Sequence, residues 1–325
     1  MSSTDVGPDT LGLVAAMVAA DGPLTSSAST EPAATSGTAE HRTALKVLDL
    51  CCGCGVQSLS VAMCREVRGV GKTSLTMIDR SSRAVRFARF NTLLNTEATT
   101  THVEVHCGDA CDVASLLPHR SQPYSFDALL INPPYIPNPE KAAGLETFGD
   151  GGWSGEELTA AAVSQSVSLL RPHDGILAVV ANLPNADAYN EKLQRWWDVG
   201  IALERASDDA ARSSDTRGLD ATVLCGCKWS PQRYAELIHM YDSSSTTSTT
   251  ADNYARALER SGVKDVCNGF VFARTGQAPA DAQVSTVACV VSASHEQVWQ
   301  AVAGACGHNA AQQAQAAASK ACGAS

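Results

Sequence analysis

The sequence predicts an α/β fold with a mostly parallel, seven-stranded sheet and helices on both faces. Short apolar runs, bounded by turn residues or acids, alternate with stretches in which apolar residues recur every three to four positions. This is the pattern of strands that alternate with helices. The runs are too apolar for strands with one wet face, which favours parallel strands covered on both sides. The predicted strands are 46–50, 74–78, 102–106, 126–131, 175–182, 221–226 and 270–273.

The helices between these strands follow from the same spacing. Residues 56–67 and 158–170 place their apolar side chains at helical intervals, and residues 83–91 form a helix after the second strand. Trp196 and Trp197 fall on the helix after the fifth strand. Adjacent helical positions do not share a face, so we expect at least one of the two rings in the core.

Length and charge limit the possible functions. The 325 residues include 24 Lys and Arg against 34 Asp and Glu, giving a formal charge of -10. Such a charge disfavours tight, sequence-blind binding to phosphate backbones. The longest early apolar run, 11–20, is too short for a membrane span, which needs roughly 20 residues. The first basic residue, Arg42, follows five acids, unlike a secretory or transit peptide, so we expect a cytoplasmic protein.

Polar, low-complexity tracts mark the domain boundaries. Residues 21–40 are mainly Ser, Thr, Ala, Gly and Pro, and the chain beyond about residue 304 is rich in Ala and Gln. We expect a short N-terminal segment at 1–20, a flexible linker at 21–43, one folded domain at 44–275, and a partly low-complexity extension at 276–325.

The twelve cysteines do not predict a disulfide framework. They are under 4% of a long chain, and several lie inside apolar runs, where a thiol acts as a small apolar side chain. Cys51 and Cys54 form a C-x-x-C, which could be a redox pair or half a zinc site. Since no second pair with ligand spacing accompanies it, we expect a tight turn of small residues and no metal.

The turn after the first strand predicts a cofactor site. Gly53 and Gly55 let a backbone approach a ligand at the start of a helix. Asp79, at the end of the second strand, is placed to hold a ribose diol. No Lys-Ser/Thr follows the glycines, which disfavours a phosphate-gripping loop. Asp49 would repel a pyrophosphate but suits a cation, so S-adenosylmethionine fits both constraints.

The turn after the third strand contains a further acid. Asp109 follows Cys107 and Gly108 and is placed to accept a hydrogen bond from an adenine amino group. A helix N-cap is the other interpretation of this residue.

The turn after the fourth strand, Asn132-Pro133-Pro134-Tyr135, predicts the acceptor site. The prolines remove two backbone donors and stiffen the chain, so the carbonyls of Asn132 and Pro133 can face a ligand. A cluster of acceptors beside an aromatic ring suits a planar NH2 group. Positioning and electrostatics can then support attack on a methyl sulfonium without a strong base.

These motifs resemble the class I S-adenosylmethionine-dependent methyltransferases, which have a Rossmann-like fold. The resemblance covers residues 46–273 and is greatest to the amino-methylating branch with N-P-P-Y, which includes the HemK/PrmC-type release-factor glutamine N5-methyltransferases. It implies a catalytic turn formed by Asn132, Pro133, Pro134 and Tyr135. The cofactor residues that it implies are Asp49, Cys51, Gly53, Gly55, Asp79, Arg80, Asp109, Ala110 and Asn132.

Further segments resemble a bacterial subgroup of release-factor methylases. These segments are 55–59, 83–91 and 149–155. In that subgroup a segment like residues 6–11 covers the cofactor site, which would place Thr10 there. The chain departs from the family at Cys51, where Gly is usual. Its N-terminal 45 residues also do not match the helical domain that presents the target glutamine.

The acceptor remains open among three classes. A protein glutamine, a nucleic-acid base and a small molecule can each offer a planar amino group. Arginines at 80, 83, 86 and 89 could form a basic helix stripe for nucleic acid, although such runs are usually solvated faces. A binding module without activity is a fourth reading, which the intact motifs disfavour. We expect a monomer that methylates a protein glutamine.

Overall fold

The structure is a computed structural model that describes residues 44–67, 69–96, 99–117, 125–141, 149–206, 217–241, 250–277 and 285–287. The N-terminal segment 1–20, the linker 21–43 and most of the C-terminal extension lie outside these ranges. The expected role of Thr10 therefore falls on residues that are not described.

The described residues form an eight-stranded sheet in the order β3-β2-β1-β4-β5-β7-β6-β8. Neighbouring strands are parallel except at β7, which runs antiparallel to β5 and β6. The predicted fold class is confirmed. A short eighth strand extends the edge beyond the seven predicted ones. The strands are β1 Ala44–Leu50, β2 Lys72–Asp79, β3 Thr101–Cys107, β4 Ala128–Ile131, β5 Ile176–Pro184, β6 Arg217–Trp229, β7 Val266–Gln277 and β8 Ser285–Val287.

Helices lie between the strands. They are α1 Val56–Val67, α2 Ser82–Asn95, α3 Val113–Leu116, α4 Glu157–Leu169, α5 Tyr189–Ala206, α6 Pro231–Tyr241 and α7 Ala251–Arg260. Residues 139–141 and 186–188 form single 3-10 turns. Three helices start at a side-chain cap, because Ser81, Asp112 and Thr250 each accept a hydrogen bond from a backbone N–H of the first turn.

Strand alternation divides the core into two layers. In β5, Leu177 and Val179 face a cluster that includes side chains of α4 and α5, whereas Ala178 and Val180 face a cluster that includes side chains of α1 and α2. All nine residues of β5 are buried, as expected for a central strand covered on both sides. Trp197 is buried against the first layer, which confirms the expectation that at least one tryptophan of the pair lies in the core.

The parallel strands bring the predicted turns to one edge. Leu50 pairs with Ile78 and with Ile131, and Asp79 pairs with Cys107. The chain therefore leaves β1, β2, β3 and β4 at neighbouring positions along the same edge of the sheet. A ligand site is expected at this edge of such a sheet.

The thiols in the described ranges are free, and their burial is mixed. Cys52, Cys225 and Cys267 are buried, whereas Cys107 and Cys111 are exposed, so the expectation of buried apolar thiols holds only in part. Among the described residues, no group of three or more His, Cys, Asp or Glu side chains could hold a metal ion. No helix in the same part of the chain is both long and apolar enough to cross a membrane.

Candidate active site

The turn after β1 depends on left-handed backbone angles. Gly53 has φ 56° and Gly55 has φ 81°, and a Cβ on Gly55 would lie 3.0 Å from Met77 Sδ. Cys51 has φ 55° although it is not a glycine, a conformation that costs roughly 1 to 2 kcal/mol. The turn can form with Cys at this position, but it carries that strain. Burial and the nearby Asp79 and Asp49 raise the pKa of the Cys51 thiol, which disfavours the reactive thiolate that a redox pair needs.

The Asp79 carboxylate joins this turn to the start of α2. Its Oδ2 accepts a hydrogen bond from the Gly53 N–H at 2.8 Å, and its Oδ1 accepts one from the Ser81 N–H at 2.8 Å. A carboxylate has about four lone-pair sites, so acceptor capacity remains on both oxygens. Asp79 therefore lies beside the glycine turn in a fixed orientation, as its predicted role requires.

Asp49 is fully buried at the end of β1. Its Oδ2 accepts a hydrogen bond from the Ser58 N–H at 3.3 Å, whereas Oδ1 has no partner. Burial raises the pKa of this carboxyl to about 7, with a smaller contribution from the nearby Asp79 charge. A buried carboxylate without a full set of partners is costly. A positively charged ligand would offset that cost.

The loop after β3 is held by its own acid and by α4. Asp109 Oδ1 accepts from the Cys111 N–H at 2.9 Å, and the cap of α3 is Asp112, so the N-cap reading of Asp109 is wrong. The Gln165 amide nitrogen donates to the Ala110 carbonyl at 3.0 Å. Gln165 lies in the predicted helix 158–170, where its spacing indicates no function. Its amide links the predicted adenine-side loop to α4.

The Asn132 to Tyr135 turn follows the fully buried strand β4. Pro133 is buried, whereas the other three residues are half-buried. The turn is therefore anchored in the protein at Pro133 and partly accessible to solvent at the other three positions. Tyr135 packs against the second core layer. The turn lies at the same edge as the glycine turn because β4 pairs directly with β1.

The glycine-rich loop 149–155 packs against this turn. The Gly151 N–H donates to the Ile136 carbonyl at 3.0 Å, and the Asn138 N–H donates to the Gly152 carbonyl at 2.7 Å. A Cβ on Gly151 would lie 2.9 Å from Tyr135 Cα, and one on Gly155 would lie 2.7 Å from the Tyr135 carbonyl oxygen. The 149–155 segment therefore needs glycine so that two backbones can touch behind the predicted acceptor site.

The hairpin of α6 and α7 also reaches this turn, a contact that the sequence analysis missed. The Tyr254 hydroxyl donates to the Pro137 carbonyl at 2.5 Å, and the Asn182 side-chain nitrogen donates to the Tyr234 hydroxyl at 2.5 Å. The two tyrosine rings lie 6.4 Å apart between their centroids. An asparagine in the otherwise apolar strand β5 was the available sequence signal.

Asn182 leaves one buried acceptor in this region. It is 3% exposed and its Oδ1 has no hydrogen-bond partner. By strand alternation it lies on the sheet face of Val180, the face against which Tyr135 packs. A buried amide oxygen of this kind is expected to have a partner. A donor group of a bound substrate would provide one.

The remaining candidate contacts are exposed. Arg80 precedes α2, so the predicted stripe contains three helical arginines, not four. Trp153 is 55% exposed within the glycine-rich loop that lies behind the Asn132 to Tyr135 turn.

Residues 37–196 match the family model of the methyltransferase small domain. The match covers just under half of the chain and includes both predicted turns. These residues form a methyltransferase domain. No curated protein matches this methyltransferase in sequence.

Solved structures with related folds have low sequence identity to this methyltransferase. A Listeria monocytogenes protein described as a class I S-adenosylmethionine-dependent methyltransferase has a TM-score of 0.47 and 13% identity, over 93% of this chain and 72% of that chain. TYW2 of Pyrococcus horikoshii, in complex with MeSAdo, has a TM-score of 0.42 and 12% identity, over 83% and 64%. The cyclase SpnF has a TM-score of 0.40 and 16% identity, over 82% and 80%.

The residues around the glycine turn fit the cofactor. S-adenosylmethionine is a cation that carries a ribose diol and supplies a methyl group on a sulfonium. The unpartnered Asp49 Oδ1 is a buried acceptor for positive charge, and Gly53 and Gly55 place no side chain at two positions of the turn. The charge of Asp49 and these two glycines therefore fit the chemistry of the group.

Proposed function

We propose that this methyltransferase methylates a planar amino group and that this group is the side-chain amide of a protein glutamine. The observation that carries the proposal is the stiff Asn132 to Tyr135 turn beside the glycine turn, with strands β1 and β4 in direct contact. The turn resembles that of the release-factor glutamine N5-methyltransferases. In this proposal the catalytic domain comprises residues 44–275.

The proposed cofactor contacts follow from the arrangement of the edge. Asp49 balances the positive charge, Asp79 and Arg80 flank the ribose, and Asp109 and Ala110 flank the adenine. Cys51, Gly53 and Gly55 form the turn beneath, and Asn132 lies between the cofactor and the acceptor. Residues 6–11 would cover this site and place Thr10 beside it.

The proposed acceptor contacts use oxygens only. The Asn132 side chain and the carbonyls of Asn132 and Pro133 accept the two hydrogens of the amino group, while Tyr135 packs on its face. This holds the nitrogen in one orientation as an N–C bond forms and an S–C bond breaks. The nitrogen releases one proton to solvent, and no strong base is needed at the site.

Trp153 favours a second candidate acceptor, an amino group on a nucleic-acid base. An exposed aromatic ring in the loop that contacts the Asn132 to Tyr135 turn can stack on a base, and such contacts contribute about 1 to 3 kcal/mol each. The net charge of -10 opposes this candidate, because nucleic-acid affinity depends on neutralised phosphates.

One experiment separates these candidates. The purified full chain is incubated with methyl-labelled S-adenosylmethionine and an extract from cells that lack this protein, and the products are treated with protease or with nuclease. We expect protease to release the label, and complete enzymatic digestion of the labelled protein should give labelled N5-methylglutamine. Label released by nuclease would overturn the glutamine assignment and support the base. The Asn132→Ala variant, which should incorporate far less label, serves as the control.

A further inference from the structure

Helix α2 is apolar on two opposite faces. Ala84, Val85 and Ala88 are buried against the sheet. On the other side Phe87 is 40% exposed, Phe90 is 58% exposed and Leu94 is 65% exposed. These three positions are spaced by three and four residues, so they align along the outward face. We call Phe87, Phe90, Leu93 and Leu94 the α2 patch.

The α2 patch is unusual for an exposed helix. Among the described residues, four of the nine large apolar side chains that are exposed belong to this one helix, and Leu93 is 82% exposed. Scattered apolar residues need no explanation, but a cluster of exposed apolar side chains on one helix face marks an interaction surface.

The charged side chains on α2 itself are all positive. The helix contains Arg83, Arg86 and Arg89, all exposed, and no acidic residue. The Arg83 guanidinium lies over the Phe87 ring at 5.8 Å from its centroid. A segment that covers this surface should therefore combine apolar side chains with negative charge.

Residues 11–20 have this composition. The run Leu-Gly-Leu-Val-Ala-Ala-Met-Val-Ala-Ala is apolar throughout, and acids flank it on both sides at Asp5, Asp9 and Asp21. No Lys or Arg occurs before Arg42. The apolar run thus complements the apolar α2 patch, and the acids on either side of the run complement the arginines of α2.

The chain can also reach the patch. Ala44, which follows the linker, pairs with Lys72 at the start of β2, and Thr73 pairs with Thr101 at the start of β3. Helix α2 leads into β3, so its final turn lies two strands from the point where the linker joins the sheet. The 23 residues 21–43 can span at most about 80 Å, against about 5 Å between neighbouring strands.

We propose that residues 11–20 pack on the α2 patch as an intramolecular cover, with their flanking acids beside the three arginines. This places the covering segment on a helix that starts three residues after Asp79. The proposal does not depend on the acceptor and extends the role of the N-terminal segment to a defined surface.

Hydrogen exchange of the full chain tests this docking. The amides of residues 11–20 should exchange at least about tenfold more slowly than those of the linker 25–38, since a packed segment must detach before it exchanges. The Phe90→Ser/Leu94→Ser variant should lose this protection. The matched control Val199→Ser/Leu203→Ser alters two comparably exposed apolar side chains on α5 and should retain it.

A charge-swap variant tests the electrostatic part separately. Arg83→Glu/Arg86→Glu should weaken the protection severalfold, and adding Asp9→Arg/Asp21→Arg should restore it. Equal exchange of 11–20 and the linker in the unmodified chain would overturn the proposal. Protection that grows with protein concentration would also overturn it, because a second copy would then cover the patch.

Discussion

The backbone N–H of Gly53 donates to the Asp79 carboxylate at 2.8 Å, across the gap between the turn after β1 and the end of β2. This contact fixes two parts of the cofactor site relative to each other. A glycine allows the turn its φ of 56°, and the carboxylate holds the turn in place. Asp79 can thus stabilise the turn and still offer acceptors to a ribose.

Asp79→Asn should weaken binding of S-adenosylhomocysteine by about 10- to 100-fold, because hydrogen bonds to a charged acceptor contribute about 1.5 to 3 kcal/mol. Calorimetric titration measures the change. Asp112→Asn is the matched control, since Asp112 caps α3 near the same edge and Asn caps a helix equally well. Equal affinity of the two variants would contradict the role of Asp79.

Asp49 should make stability depend on pH. Its pKa is raised from 3.8 to about 7, so the folded chain binds a proton over a range in which the unfolded chain has released it. The free energy of unfolding is therefore higher at low pH and falls as the pH rises from about 4 to about 7, by at most about 4 kcal/mol from this group. Asp49→Asn should remove this dependence, and the difference between the two proteins in urea unfolding isolates it.

The same carboxyl should make cofactor binding depend on pH in the opposite sense. A cationic cofactor favours the ionised form, so affinity for S-adenosylmethionine should rise between pH 6 and pH 8 as Asp49 loses its proton. In Asp49→Asn the affinity should be weaker and nearly constant over this range. A rise of equal size in the variant would assign the effect to another group.

How much of this site the sequence reveals depends on the kind of contact. Strand ends, glycines and the two prolines have local signatures, so the edge of the sheet and both turns were predictable. The contacts of Tyr254 with Pro137 and of Gln165 with Ala110 join residues 117 and 55 positions apart. No periodicity encodes such pairs, because a tyrosine at a helical spacing looks like any core residue until the hairpin is packed.

The Cys51 position shows a second kind of limit. The chain has cysteine where the family usually has glycine, and its backbone nevertheless adopts φ 55° there. Sequence reasoning identifies which residue prefers a conformation. It does not show that the surrounding hydrogen bonds, such as that of Cys52 N–H to the Ile78 carbonyl at 3.1 Å, can hold a less suited residue in the same conformation.

Asn132→Ala should reduce methyl transfer by on the order of 100- to 1,000-fold, the usual effect of losing one preorganised group. Binding of S-adenosylhomocysteine should change by only a fewfold, because the glycine turn remains. Single-turnover transfer from labelled S-adenosylmethionine measures the rate. Asn95→Ala, at an exposed position at the end of α2, controls for the substitution itself. Near-normal transfer by Asn132→Ala would exclude the proposed positioning of the amino group.

Gly151→Ala tests the glycine-rich loop behind the turn. The added Cβ would lie 2.9 Å from Tyr135 Cα, so the two backbones must separate and displace the turn. We expect a loss of about 1 to 3 kcal/mol in the free energy of unfolding and a fall in the transfer rate. Gly276→Ala is the control, because a Cβ there meets no atom within 4 Å.

Tyr254→Phe should show whether the α6–α7 hairpin acts on the acceptor site. The variant leaves the Pro137 carbonyl without its donor, which should lower the free energy of unfolding by about 1 to 3 kcal/mol. Since Pro137 lies two residues beyond Tyr135, the KM for the acceptor should rise while cofactor affinity stays constant.

Steady-state rates with the acceptor found in the labelling experiment provide the KM, and calorimetric titration with S-adenosylhomocysteine provides the affinity. Trp229→Phe perturbs the same aromatic cluster without breaking this hydrogen bond, so it should lower stability and leave the KM unchanged. If both variants raise the KM equally, the hairpin acts through packing and the Tyr254 hydrogen bond has no separate part in acceptor binding.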